Sequence, residues 1–192
     1  MINKLKIMKD LWDKVKNCYK CNINSTIGEN NPHVFIRGGV NSKILVIGQN
    51  PGKDEVIQGK PFIGKSGKIL NKLLEESGLR EKDYLIMNSI FCYTPKNRKP
   101  KEEEIRKCRV NYGLKIISIM DPKIIITMGS SALDFISGET KEIMQYRGTW
   151  KKFMGKNVFV MLHPASGIYS KERKVLFEND FKYFKETCKK YL

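Results

Sequence analysis

Four short apolar runs, rich in β-branched residues, constrain this chain more than anything else in it. They are KILVIG at Lys43–Gly48, YLIMNSI at Tyr84–Ile90, KIIITMG at Lys123–Gly129 and VFVMLH at Val158–His163. Each is near-continuous rather than alternating, the pattern of a strand covered on both faces. Helical patterns lie between and around them. Ser66–Ser77 places Ile69, Leu70, Leu73 and Leu74 on one stripe and stops at Gly78. Lys101–Met120 opens with three acids, favourable at a helix N-terminus, and its apolar face runs Ile105, Cys108, Tyr112, Ile116 and Ile119. Phe177, Phe181, Phe184, Cys188 and Tyr191 recur in steps of four and three, and the opening MINKLKIMKDLWDKVKNC reads as an amphipathic helix. Strands alternating with helices make a parallel sheet covered on both sides. The expectation is an α/β fold: a three-layer α/β/α sandwich with a central four-stranded parallel sheet, one domain over residues 1–192.

Each expected strand runs into a polar loop. The first gives Gly48-Gln49-Asn50-Pro51-Gly52, the second Asn88-Ser89, the third Gly129-Ser130-Ser131, the fourth His163-Pro164-Ala165-Ser166-Gly167. Gly, Asn and Pro are ordinary turn residues, so plain strand-ending turns are one reading. The other is a ligand site, because parallel sheets bind ligands at the C-terminal ends of their strands. Phe62, inside GKPFIGKSG, is either a core anchor or a platform for a flat ring. His163 is either a satisfied core histidine or a catalytic one, and Asn88 either a cap or a recognition group. Convergence of all three on one sheet edge favours the functional reading.

Cys18 and Cys21 form a C-x-x-C pair, Cys92 follows the second strand, and Cys108 comes 16 residues later. A close pair with two distant thiols can converge on one tetrahedral centre, and the spacing fits zinc or an iron–sulfur cluster. Four unrelated buried thiols are the bland alternative, and Cys188 sits on a core stripe. The chain carries 36 Lys+Arg against 20 Asp+Glu, a net charge of +16. Such an excess points to an anionic partner, nucleic acid first, or else to a Lys-rich solvated surface. The N-terminus lacks the apolar core and cleavage site of a secretory signal, and no apolar run approaches a membrane span. A monomer in the cytoplasm is therefore expected, associated with a nucleoid or, for a virus, in its host's cytoplasm.

In order, these elements resemble the uracil-DNA glycosylase superfamily, and within it the iron–sulfur class, family 4. GQNPGKDE stands at that class's G-E-x-P-G-x-x-E loop, and GKPFIGKSGKIL at its G-x-P-F-x-G-x-x-G-x-x-L element. MNSIFC matches its Asn-bearing strand and cluster cysteine, NRKPKEEEIRKC its N-R-x-P segment, and HPAS its His-Pro motif. The resemblance covers nearly the whole chain. It implies a [4Fe–4S] cluster on Cys18, Cys21, Cys92 and Cys108, and excision of uracil, with other deaminated bases as further candidates, from single- or double-stranded DNA.

The chain also departs from that class. Its Glu is Gln49 here, and Asn50 falls where two other branches carry the Asp or Asn that directs the attacking water. The usual R-P-P beyond the third cysteine is Tyr93-Thr94-Pro95. By the resemblance, Asn50 orients the water, with Glu55 a second candidate acting through its field, and His163 donates to the departing uracil. Asn88 reads the base, Phe62 stacks on it, and the Gln49 backbone amide adds a contact. Ser166, Gly167, Ile168 and Tyr169 form the wedge that fills the gap left in the DNA. Gly52 stands where family 1 has a Tyr against the 5-methyl of thymine, so the pocket is expected to be roomier. Two rivals differ in class. One is a DNA-binding protein that keeps the fold and cluster without hydrolysis; the other is a cluster-dependent redox protein.

Overall fold

The computed structural model describes residues 3–21, 23 and 33–192. Its centre is a six-stranded sheet in the order β1-β3-β2-β4-β6-β5. The strands are β1 (Arg37–Gly38), β2 (Ile44–Gly48), β3 (Tyr84–Asn88), β4 (Ile124–Met128), β5 (Thr149–Phe153) and β6 (Lys156–Met161). The middle four, β3-β2-β4-β6, are mutually parallel, and they are the four strands expected from the apolar runs. Side chains alternate across each of them. Leu45, Ile47, Leu85, Met87, Ile125 and Val158 enter one core, while Ile44, Val46, Ile86, Ile124, Ile126 and Phe159 enter the other. Continuous apolar sequence and two-sided burial are thus the same fact.

The first core is roofed by α1 (Lys4–Lys16), α4 (Glu102–Cys108), α5 (Leu114–Met120) and α6 (Ser130–Ser137). The second is closed by α3 (Lys65–Glu76) through Leu70 and Leu74, and by α9 (Lys171–Thr187) through Phe177, Phe181 and Phe184. Three short helices, α2 (Lys53–Gln58), α7 (Ile143–Tyr146) and α8 (Ser166–Tyr169), sit in the connections. Met1 and Ile2, at the start of the expected N-terminal helix, lie outside the described residues.

Three features were not legible beforehand. Antiparallel edge strands β1 and β5 widen the parallel sheet. Strand β5 forms a hairpin with β6 through Met154-Gly155, both at positive φ (53° and 72°), the geometry that matches strand twist. The helix expected over 101–120 carries a π-helical turn at Arg109–Gly113, between α4 and α5. There a Cβ on Gly113 would lie 2.1 Å from Phe135 Cζ, and the Arg109 side chain donates to the Phe135 carbonyl at 2.7 Å. It is the missing side chain of Gly113 that lets this turn approach Phe135 so closely.

Candidate active site

Loops leaving β2 and β4 run in opposite directions across the sheet, which opens a crevice at the C-terminal ends of the strands. A cavity of about 430 Å³ lies there. Gln49, Asn50, Gly52, Glu55, Phe62, Asn88, His163, Ser166, Ile168 and Tyr169 all line it. Of the residues singled out from sequence for chemistry, base recognition and the wedge, only Gly167 lies off the cavity. It packs instead against α9, where an added Cβ would come within 3.1 Å of Lys174 Cα.

Asn88 ends β3 and pairs in register with Gly48, the last residue of β2. Its Oδ1 and the Phe62 ring both lie over Gly48, where a Cβ would meet Phe62 Cε2 at 2.4 Å and Asn88 Oδ1 at 2.5 Å. Only a residue without a side chain fits. Asn88 is 1% exposed, and its Nδ2 has no hydrogen-bond partner among the described residues. A buried, unpaired amide donor costs about 1–3 kcal/mol, which a ligand acceptor would return.

Phe62 is buried with φ of 55°, and its ring centroid stands 5.9 Å from that of His163. Left-handed backbone at an aromatic is strained and needs outside support. Its carbonyl accepts from Arg37 at 3.3 Å and from Asn71 Nδ2 at 3.2 Å, while Arg37 also donates to Asn71 Oδ1 at 2.6 Å. Gly67 lets the chain turn back under this carbonyl, which a Cβ there would approach to 2.1 Å. Arg37 and Asn71 were missed from sequence, because only the folded chain brings β1 and α3 to this loop.

His163 follows β6. The Ala165 backbone N–H donates to its Nδ1 at 3.2 Å, so the neutral ring carries its proton on Nε2. Burial pushes its pKa down to about 4, which keeps that tautomer uncharged near neutrality. Glu55 faces backbone as well as cavity. Its Oε2 accepts from the Gly52 N–H at 2.8 Å, and Phe62 and Ile63 amides also bond it. Burial raises its pKa and these hydrogen bonds act against the rise. It therefore ties the β2 loop to the Phe62 loop.

Asn50 is held on every side. Its Oδ1 accepts from Gln49 Nε2 at 3.0 Å, and its Nδ2 faces Asn97 Oδ1 (2.9 Å), the Pro51 carbonyl (3.1 Å) and Thr94 Oγ1 (3.2 Å). Asn97 also lines the cavity. It is the Asn of the N-R-x-P segment, so that motif was the signal for it.

Cys18, Cys92 and Cys108 belong to the first core, and Cys21 packs against it. Cys18, Cys92 and Cys108 are buried and Cys21 is half-buried. Burial raises the Cys92 and Cys108 thiols, and the other cysteines' charges raise both further. Among the described residues, no three Cys, His, Asp or Glu side chains stand in a metal-ligating arrangement. Four thiols on one core are the donor chemistry that an iron–sulfur or zinc site uses.

The crevice thus lies at the switch point of a mostly parallel sheet and is lined by the side-chain amides of Gln49, Asn50, Asn88 and Asn97. A family model of the uracil-DNA glycosylase superfamily matches residues 35–190, and the chain belongs to that superfamily. It is 32% identical to a type-4 uracil-DNA glycosylase of Archaeoglobus fulgidus, over 95% of this chain and 94% of the relative. A type-4 uracil-DNA glycosylase of Saccharolobus solfataricus is 35% identical, over 91% of this chain and 83% of that protein. One from Thermotoga maritima is 33% identical, over 86% and 85%.

Proposed function

We propose that this chain is a monofunctional uracil-DNA glycosylase. It binds uracil-containing DNA as a monomer, extrudes the nucleotide and hydrolyses the N-glycosidic bond to leave an abasic site. Family membership supports the activity. The observation that carries it to named residues is the unpartnered Asn88 amide, buried on the cavity wall beside Phe62. A uracil edge complements it, since N3–H can donate to Oδ1 while O4 accepts from Nδ2. Cytosine reverses both positions and leaves the site unsatisfied.

The chemistry follows from the neighbours. As the C1′–N1 bond breaks, its electron pair moves to uracil, and the neutral His163 Nε2–H stabilises the charge arriving on a carbonyl oxygen. Asn50 places the water whose oxygen bonds to C1′, and that water's surplus proton leaves to solvent. An amide is no general base, but placement alone lowers the barrier of a dissociative reaction. Glu55 adds a negative field near the developing sugar cation while it braces the two loops. Ser166–Tyr169 form one exposed turn at the cavity rim, with Ile168 43% and Tyr169 87% exposed, and fill the space the nucleotide leaves.

Cys18, Cys21, Cys92 and Cys108 would hold the [4Fe–4S] cluster of the type-4 class, which would act as a structural tie between the N-terminal segment and α4. The deciding experiment is alkaline cleavage of an oligonucleotide carrying a single uracil, hypoxanthine or thymine after incubation with the protein. Strand scission at uracil supports the proposal. Tight binding with no abasic product at any of the three bases would replace it with the non-catalytic DNA-binding reading.

A further inference from the structure

The two ends of an asparagine amide have nearly the same shape, so nothing within Asn50 decides which end faces its loop partners. We propose that Thr94 is the positioning residue that sets the direction of the Asn50 amide. This inference rests on the reading of Asn50 as the residue that places the water.

Thr94 is wholly buried. Its hydroxyl has a single proton, and that proton is given to the Arg98 carbonyl at 2.5 Å. Only lone pairs are left to face Asn50, 3.2 Å away, and lone pairs accept an NH2 but repel a carbonyl oxygen. The Arg98 backbone is itself fixed, because its guanidinium forks onto both Glu104 oxygens at 2.9 and 2.6 Å. Of the two other acceptors around Asn50 Nδ2, Asn97 is itself an exposed amide with two ends of the same shape, and Pro51 belongs to the same loop as Asn50. Thr94 alone ties the amide to a separate, buried element with an acceptor that cannot invert while Arg98 holds its proton.

The consequence is chemical. With Nδ2 turned to Thr94, Asn50 Oδ1 takes one hydrogen bond from Gln49 at 3.0 Å and keeps a lone pair for a water O–H. The inverted amide would offer that water a donor and point its oxygen at the Thr94 oxygen. Asn50 and Thr94 are also two of the places where this sequence departs from the family-4 pattern, and here they touch.

The test is single-turnover excision from a single-uracil duplex by Thr94→Val, Thr94→Ala and Thr94→Ser proteins, alone and combined with Asn50→Ala. Thr94→Val and Thr94→Ala are expected to slow excision about tenfold while the half-saturating enzyme concentration stays within about twofold, as fits a misaimed rather than missing group. Thr94→Ser keeps the hydroxyl and should restore the rate. In the Asn50→Ala background, Thr94→Val should cause no additional loss. Wild-type rates for both the Val and Ala proteins would overturn the inference. So would a full tenfold loss on top of Asn50→Ala, which would mark a structural role for the loop. Asn50→Ala cleaving at the wild-type rate would instead remove the reading of Asn50 itself, and this inference with it.

Discussion

At the scale of single residues, two asparagines with similar chemistry hold different posts. Asn50 is braced by side chains from a neighbouring loop, whereas Asn88 is buried with a donor to spare. Asn50→Ala should therefore lower the excision rate by about two to three orders of magnitude, typical for losing one oriented polar group at a reacting centre. Affinity for uracil-containing DNA should barely change. Asn88→Asp removes the donor to uracil O4 and supplies an acceptor for the cytosine N4 amine, so uracil excision should fall and trace cytosine excision emerge. Product analysis on paired uracil and cytosine oligonucleotides measures both. His163 carries the pH prediction. Its folded pKa of about 4 lies below the ordinary histidine value, so the native state resists protonation. The stability this contributes is present above about pH 6.5 and is lost as pH falls toward 4. The excision rate should show no imidazole step between pH 5.5 and 8, and a step near 6.5 in a single-turnover profile would contradict the neutral assignment.

Whole elements act here mainly by setting distances. The β2–β3 register puts Gly48 beside Asn88, and the Phe62 loop folds over both. Gly48→Ala would place a methyl where the Phe62 ring and the Asn88 carboxamide oxygen now lie. Overpacking of this kind costs about 1–3 kcal/mol, and the displaced ring should reduce excision about a hundredfold. Thermal melting read alongside excision separates the two effects. A protein that melts as wild type and cleaves as wild type would show that the crevice has slack. The Arg37–Asn71 brace works on the same loop from two other elements, β1 and α3, and holds Phe62 in its left-handed conformation.

For the whole molecule, the net charge of +16 and the proposed cluster ligands Cys18, Cys21, Cys92 and Cys108 each make a prediction. DNA affinity should fall steeply with salt. Lys96, Lys171 and Arg173 are exposed near the cavity loops, and Lys171→Ala should reduce the slope of log K against log salt by about one. Arg98 belongs to a different class: its charge is committed to Glu104, so its removal should cost stability more than phosphate contact. Salt-independent affinity would remove DNA as the partner. Purified protein should be brown and contain iron, and Cys108→Ser should be colourless and poorly soluble, because that cysteine is buried in the first core. A stable, colourless protein with stoichiometric zinc would assign the four cysteines to a different metal. Among the described residues, no helix is long and apolar enough to cross a membrane.

The sequence by itself determined the four parallel strands, because two-sided burial demands uninterrupted apolar runs, and a run such as KIIITMG has few other uses. It also determined the cavity's main residues, since every parallel strand must end at the same edge, and Gln49, Asn88 and His163 each follow or close a strand there. Edge strands β1 and β5 lay beyond it. Arg37–Gly38 is two residues long, and the Thr149–Phe153 segment is only half-buried, so neither leaves a periodic signature. The tertiary structure alone decided what holds each functional group in place. Thr94 and Asn50 are 44 positions apart, and Arg37 and Asn71 are 34 apart. Hydrogen bonds across such spans depend on which loops the sheet order brings together, and no local pattern of residues encodes that.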